Sequence, residues 1–167
     1  VAAVCIASHI ARFQKVPAWS ILPQIERIFA MSMTADEMIR FVDDLYATTG
    51  VGDWDKAADM LTDDFFVTEA DCLPMAGTYR GKNALKELYS KVMGMVDVVG
   101  LDRVETTAGK DHAVTILSFR FADPALPPAE LCEMFRFRDG KCCEIRPFYF
   151  EPSVFHAAVE AKAKATA

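Results

Sequence analysis

Two glutamates in this chain stand where an acid is costly. The run Asp64–Ala70, DFFVTEA, is rich in β-formers and predicts a strand. Side chains alternate along a strand, so Phe65, Val67 and Glu69 share one face while Phe66, Thr68 and Ala70 share the other. Further on, Ala129–Arg138 predicts a second strand with Leu131, Glu133, Phe135 and Phe137 on one face. Each glutamate thus closes or interrupts an apolar row. An ionised carboxylate removed from water must find a partner or take up a proton. Two such acids facing one pocket would suit general acid and base work.

A plainer reading stands beside this one. Glu69 lies near a strand end, where it can reach solvent, and Glu133 can pair with Arg103 or Arg120 on a neighbouring strand as a structural ion pair. Periodicity alone leaves both readings open.

The elements that would hold these acids follow from local signals. Thr34 with Glu37 three residues later is a capping box, and Met38, Phe41, Val42, Leu45 and Tyr46 recur at helical spacing up to about Thr49. Gly50-Val-Gly52 ends that helix, and Asp53 caps a short second one through Trp54, Ala57, Met60 and Leu61. After the first strand, Cys72, Pro74 and Gly77 predict a loop. A third helix opens at Gly81-Lys-Asn83 and ends near Gly94. Four strands follow with hairpin spacing: Val96–Thr107, His112–Ala122, Ala129–Arg138 and Lys141–Phe150, the last pair joined by Asp139-Gly140. Pro147 cannot donate a ladder hydrogen bond, which places it at a bulge or on an edge strand. An Ala-rich helical tail covers 153–167. Residues 1–32 open on Val1 and are broken by Pro17 and Pro23; they read as an upstream extension or, alternatively, as a helical arm, with the domain proper over 33–152.

The 167-residue length fits one domain. Net charge of −6 with scattered basic residues argues against nucleic acid or an anionic membrane as partner. The early apolar run Val1–Ala11 falls short of the roughly 20 residues of a membrane span and lacks the basic lead of a secretory signal. Five cysteines without paired ligand spacing predict reduced thiols, a cytoplasmic location and no metal. No Gly-rich phosphate loop and no His-based triad is present, so no cofactor is expected. Trp54 reads as a core residue and His112, beside Asp111, as an exposed turn residue.

The order helix, short helix, strand, helix, antiparallel strands over Thr34–Tyr149 resembles the nuclear transport factor 2-like superfamily, in its ketosteroid isomerase and SnoaL-like polyketide cyclase branch. The blocks that carry the likeness are Gly52-Asp53 through Asp63-Asp64 to Glu69, and Glu133-Met-Phe-Arg-Phe137 before Asp139-Gly140. The resemblance implies an α+β fold with N-terminal helices packed in the concave face of a curved antiparallel sheet, a cone-shaped, cystatin-like barrel around an apolar pocket. It implies that Glu69 shuttles a proton and that a protonated Glu133 donates to an oxyanion. Both positions carry Asp in ketosteroid isomerases. The family's oxyanion tyrosine falls at Leu45 in direct register, with Tyr46 one residue away. It also implies that Ile145, Pro147 and Tyr149 line the pocket, with Val67 and Phe135 beside the acids, around a small apolar or carbonyl-containing ligand. Isomerisation, cyclisation or dehydration fits that equipment; the acid-Arg-acid cluster of an epoxide hydrolase is missing. A homodimer through the outer sheet face, where Phe66, Cys132 and Met134 point, is expected too. The alternative is a non-catalytic ligand-binding or dimerising module of the same fold.

Overall fold

The computed structural model describes residues 33–165; the expectations for 1–32 lie outside the described residues. Helix α1 (Ala35–Gly50) starts as its capping box requires. The Thr34 hydroxyl accepts from the Glu37 amide, and the Glu37 carboxylate accepts from the Thr34 amide at 2.8 Å. The helix buries Met38, Val42, Leu45 and Thr48. Gly52, at φ +75°, turns the chain into α2 (Trp54–Asp59), where Asp53 accepts from the Lys56 amide.

The rest is β1 (Leu61–Glu69), β2 (Gly77–Arg80), α3 (Ala84–Met95), β3 (Val98–Gly109), β4 (His112–Phe121), β5 (Ala129–Arg138), β6 (Lys141–Tyr149) and α4 (Pro152–Ala165). The six strands form one curved, open sheet in the order β2-β1-β6-β5-β4-β3. The β5–β6 hairpin turns at Asp139 and Gly140, both at positive φ, as a two-residue hairpin requires. Helices pack in the concave face over a core that includes Leu61, Phe65, Met75 and Phe135. The α+β class holds.

Four details of the expected layout are corrected. The sheet is not wholly antiparallel, because β1 pairs parallel with β6 while every other neighbour is antiparallel. The segment after Pro74 contains strand β2, which pairs with Phe66–Glu69. Strand β6 is central, not an edge: its ladder to β1 stops at Val67/Ile145, two residues before Pro147, so the missing amide costs no bond on that side. Helix α2 ends at Asp59, and Leu61, expected within it, opens β1. The C-terminal helix is also no loose tail, since Phe155 is fully buried with its ring against Phe121 and Tyr149. At its far end, Lys162 donates to the carbonyls of Met93 and Val96.

Candidate functional site

A cavity of about 510 Å³ lies between the helices and the concave sheet. Each of the seven residues nominated from sequence lines it: Tyr46 from α1, Val67 and Glu69 from β1, Glu133 and Phe135 from β5, Ile145 and Tyr149 from β6. Their convergence follows from the register. Val67, Ile145 and Phe135 are paired across β1, β6 and β5, while Glu133 faces Pro147 and Leu131 faces Tyr149. One inward row of each central strand therefore forms the floor. Helix α3 supplies Leu85, Leu88 and Tyr89 opposite.

Glu69 is buried, 3% exposed, and its Oε2 finds no hydrogen-bond partner among the described residues. It does not reach solvent at the strand end because β2 covers that end, pairing Gly77 with Glu69. Burial first, and then the charge of Glu133, pushes its pKa up to about 8. Burial raises the Glu133 carboxyl as well, opposed by the hydrogen bond that it accepts from the Tyr46 hydroxyl. The structural ion pair considered for Glu133 does not form: Arg103 pairs with Asp43 at 2.6 Å, and Arg120 pairs with Asp102. Among the described residues, no Lys, Arg or His lines the cavity.

Tyr46, not Leu45, makes the contact with Glu133, although both line the cavity. The helical rotation of about 100° per residue separates their tips without removing either from so wide a space. The Arg103 guanidinium sits 4.9 Å above the Tyr46 ring. Burial and the Glu133 charge hold the Tyr46 phenol far above its ordinary range, and the nearby Arg103 charge pulls it back in part. Tyr149 is raised likewise, by burial and then by Glu69 and Glu133, so its hydroxyl shares the field of both acids.

The lining residues that sequence reasoning missed include Trp54 and Tyr89. Trp54 reads from sequence as core, yet it is half-exposed, lines the cavity and meets the Tyr89 ring at 5.1 Å. Tyr89, midway along α3, is 42% exposed. Together with the exposed Val99 and Leu101 of β3 they give the cavity an apolar mouth. Trp54 follows the turn at Gly52, which was the available signal; Tyr89 lies mid-helix and carried none. Of the remaining candidates, His112 bonds its neighbour Asp111 and is half-exposed, and His156 contacts the Cys72 carbonyl; neither joins the cavity. Among the described residues, no three His, Cys, Asp or Glu side chains gather in a way that would hold a metal. No helix among them is long and apolar enough to cross a membrane.

Helices cupped in a curved, open six-stranded sheet define the nuclear transport factor 2-like fold. Within that class the chain belongs to the SnoaL-like domain family, whose model matches residues 42–145. Similar solved structures include a nuclear transport factor 2-like protein from Burkholderia xenovorans LB400, 21% identical, with TM-score 0.63 over 77% of this chain and 99% of that one. TerC, co-crystallised with polyporic acid, is 17% identical with TM-score 0.61, over 74% of this chain and 98% of TerC. A candidate polyketide cyclase from Sinorhizobium meliloti is 16% identical with TM-score 0.54, over 65% and 94% of the two chains. No curated protein matches this chain significantly in sequence.

Proposed function

We propose that this protein is a cofactor-independent isomerase, cyclase or dehydratase that moves a proton on a small, mainly apolar carbonyl compound. The observation that carries the reading is the pair of acids, Glu69 and Glu133, that meet no cation among the described residues and line one apolar cavity, with Tyr46 bonded to the second. In its carboxylate form Glu69 removes a proton from the carbon next to the carbonyl. The C–H electrons pass to the carbonyl oxygen as an enolate, and Glu69 returns the proton to another carbon or to a leaving oxygen. Neutral Glu133 and the phenol of Tyr46 supply hydrogen bonds to the enolate oxygen, which an ionised Glu133 could not do. Tyr149 lies where its hydroxyl reaches the same ligand; Val67, Phe135 and Ile145 hold the apolar body. TerC with polyporic acid supports a small organic ligand for a cavity of this build.

The test uses β,γ-unsaturated cyclic ketones, whose isomerisation creates a conjugated enone seen by ultraviolet absorbance. The protein accelerates that change, and Glu69→Gln abolishes it with the fold intact. Equal rates for the two proteins would remove Glu69 from the mechanism.

A second reading has its own support. With a pKa of about 8, Glu69 is mostly protonated near neutrality. The convex face, moreover, carries a cross-strand row of Ile116, Cys132 and Phe148, with Ile116 and Phe148 exposed. Half-buried Met134 follows Cys132 on that face of β5, and half-buried Phe66, farther along the sheet, lies beneath Arg80. This favours a ligand-binding homodimer that turns nothing over. Sedimentation of the protein and of Phe148→Glu tests the dimer, and ligand binding without any enone formation would favour the module. The reduced cysteines and acidic charge fit a cytoplasmic protein.

A further inference from the structure

The acid end of the cavity is rich in acceptors and poor in donors. Val67 lies opposite Ile145 on one edge of β6, and Glu133 lies opposite Pro147 on the other. Continued by two residues past the last ladder bond, the β1 register brings Glu69 beside Pro147 as well. The two acids thus flank one residue of β6. Their backbones stand two strand spacings apart, about 10 Å, a gap that two glutamate side chains can close on one small group. Pro147 has no N–H, so the main chain between the acids offers neither of them a donor. The phenols add little: Tyr46 already gives its proton to Glu133, and Tyr149 is left near both acids.

Glu69 lines the cavity, is 3% exposed, and its Oε2 has no hydrogen-bond partner among the described residues. A buried carboxyl oxygen without a donor is costly, and a ligand that brings one removes the cost. Among the described residues no Lys, Arg or His lines the cavity to do so; Arg103, above the Tyr46 ring, is outside the lining and paired with Asp43. The other titratable groups facing the cavity are Tyr46 of α1, Tyr89 of α3, Glu133 of β5 and Tyr149 of β6. Phe135 and Tyr149 add aromatic rings beside the acids, and such rings also favour a bound cation. Beyond them the wall is largely apolar out to the mouth.

We propose that this cavity is a site for a lipophilic amine, whose ammonium group sits between Glu69 and Glu133 while its apolar body runs towards the mouth. A ketone presents an acceptor to the acids; an ammonium presents donors and a charge, and so satisfies Glu69 directly. The amine site shares the cavity with the proton transfer proposed above and does not depend on it. Proton balance fixes its signature. Glu69, with a pKa of about 8, mostly holds a proton at neutral pH; an ammonium binds the carboxylate, so that proton leaves to solvent as the amine enters. Affinity then rises with pH, by up to about tenfold per unit below about 8, and levels off above it.

The probes are 2-aminoindane, charged through this range, and 2-indanol, its uncharged counterpart of the same shape. Calorimetry at about pH 6 and about pH 8 gives both affinities, and repetition in two buffers of different ionisation enthalpy counts the protons released. The amine binds about tenfold or more tighter than the alcohol at the higher pH, and releases close to one proton per molecule at the lower. The alcohol shows no such rise with pH. Glu69→Gln removes the preference for the amine and its pH slope together. Equal affinity for the two probes at the higher pH, binding of neither, or a preference and slope that survive in Glu69→Gln overturns the amine site and leaves the enone assay of the proposed reaction standing. Amine binding with these signatures in a protein that forms no enone supports the site and removes the catalytic reading. Should Glu69→Gln fail to fold, the proton count of the unmodified protein carries the test, and no proton released at the lower pH overturns the site.

Discussion

Strand β6 and its neighbours bury acids on both faces of the sheet, and the two faces treat them differently. On the convex side Glu144 is only 5% exposed but is held by Arg146 and, at 3.7 Å, by Arg136. On the concave side Glu69 is about as buried and, among the described residues, meets no cation, while Glu133 bonds a phenol. An acid clamped by two half-exposed arginines ties its strand to the neighbouring one. Acids without a counter-ion are held towards their neutral form and keep a proton available for exchange. Burial therefore does not mark the functional acid; the absence of a nearby cation does.

The largest effect expected from that contrast is on catalysis. Glu69→Gln lowers turnover of a responsive ketone by about 10²- to 10⁴-fold, the usual contribution of a positioned base. The same substitution at Glu144 leaves turnover within about twofold, because no step of the chemistry meets it. Parallel loss at both positions would erase the distinction between the faces.

Stability against pH comes next. The folded pKa of Glu69, about 8, exceeds the ordinary 4.5, so the folded protein keeps a proton that the unfolded chain has lost. That contribution is fully present below pH 4.5 and disappears as pH rises through about 8, with a slope of at most about 1.4 kcal/mol per pH unit. Denaturant melts between pH 5 and 8 should show the decline, flattened in Glu69→Gln and retained in Glu144→Gln. The dependence of kcat/KM has the opposite sign: it rises with pH through about 8 as the base form appears.

At Glu133 a donor must be separated from a charge. Glu133→Gln retains a donor and keeps part of the ligand affinity, whereas Glu133→Leu folds and loses about tenfold or more. Titration of the Glu133 carboxyl by NMR gives the direct check: a normal or depressed pKa with two unstable variants would make it a structural acid like Glu144. The smallest effect is expected at Glu144 itself. Glu144→Gln costs about 1–2 kcal/mol in thermal or urea unfolding, a modest loss because both arginines stay half-exposed.

Much of this was legible in the chain, for reasons that differ from residue to residue. The capping box at Thr34, the Asp139-Gly140 hairpin and the inward rows of β1 and β5 depend on neighbours within a few positions, and the pattern states them. Glu69 and Glu133 were visible as breaks in those rows. Strand β2 was not, because its four residues follow Pro74 and are ordered by partners elsewhere in the fold, β1 and helix α3. Nor was the central place of β6, which depends on a partner far away in sequence. Tyr46 was ambiguous at the level of a single helical step. The loss of cations around Glu133 was also illegible, since it rests on Asp43 and Asp102 having drawn Arg103 and Arg120 away.

The parallel β1–β6 ladder also governs how the domain comes together. Val67 lies opposite Ile145, about eighty positions later, whereas β3 to β6 are joined to their neighbours by hairpin-scale connections. Local hairpins close early; the long-range pairing bears the larger entropy of loop closure and forms against an already assembled meander. On a ribosome, β1 would be released long before its partner exists, with Phe65 and Val67 still uncovered. Slow refolding phases are then expected to track β1 docking, and substitutions at Val67 or Ile145 to alter the folding rate more than those in the β3–β4 hairpin.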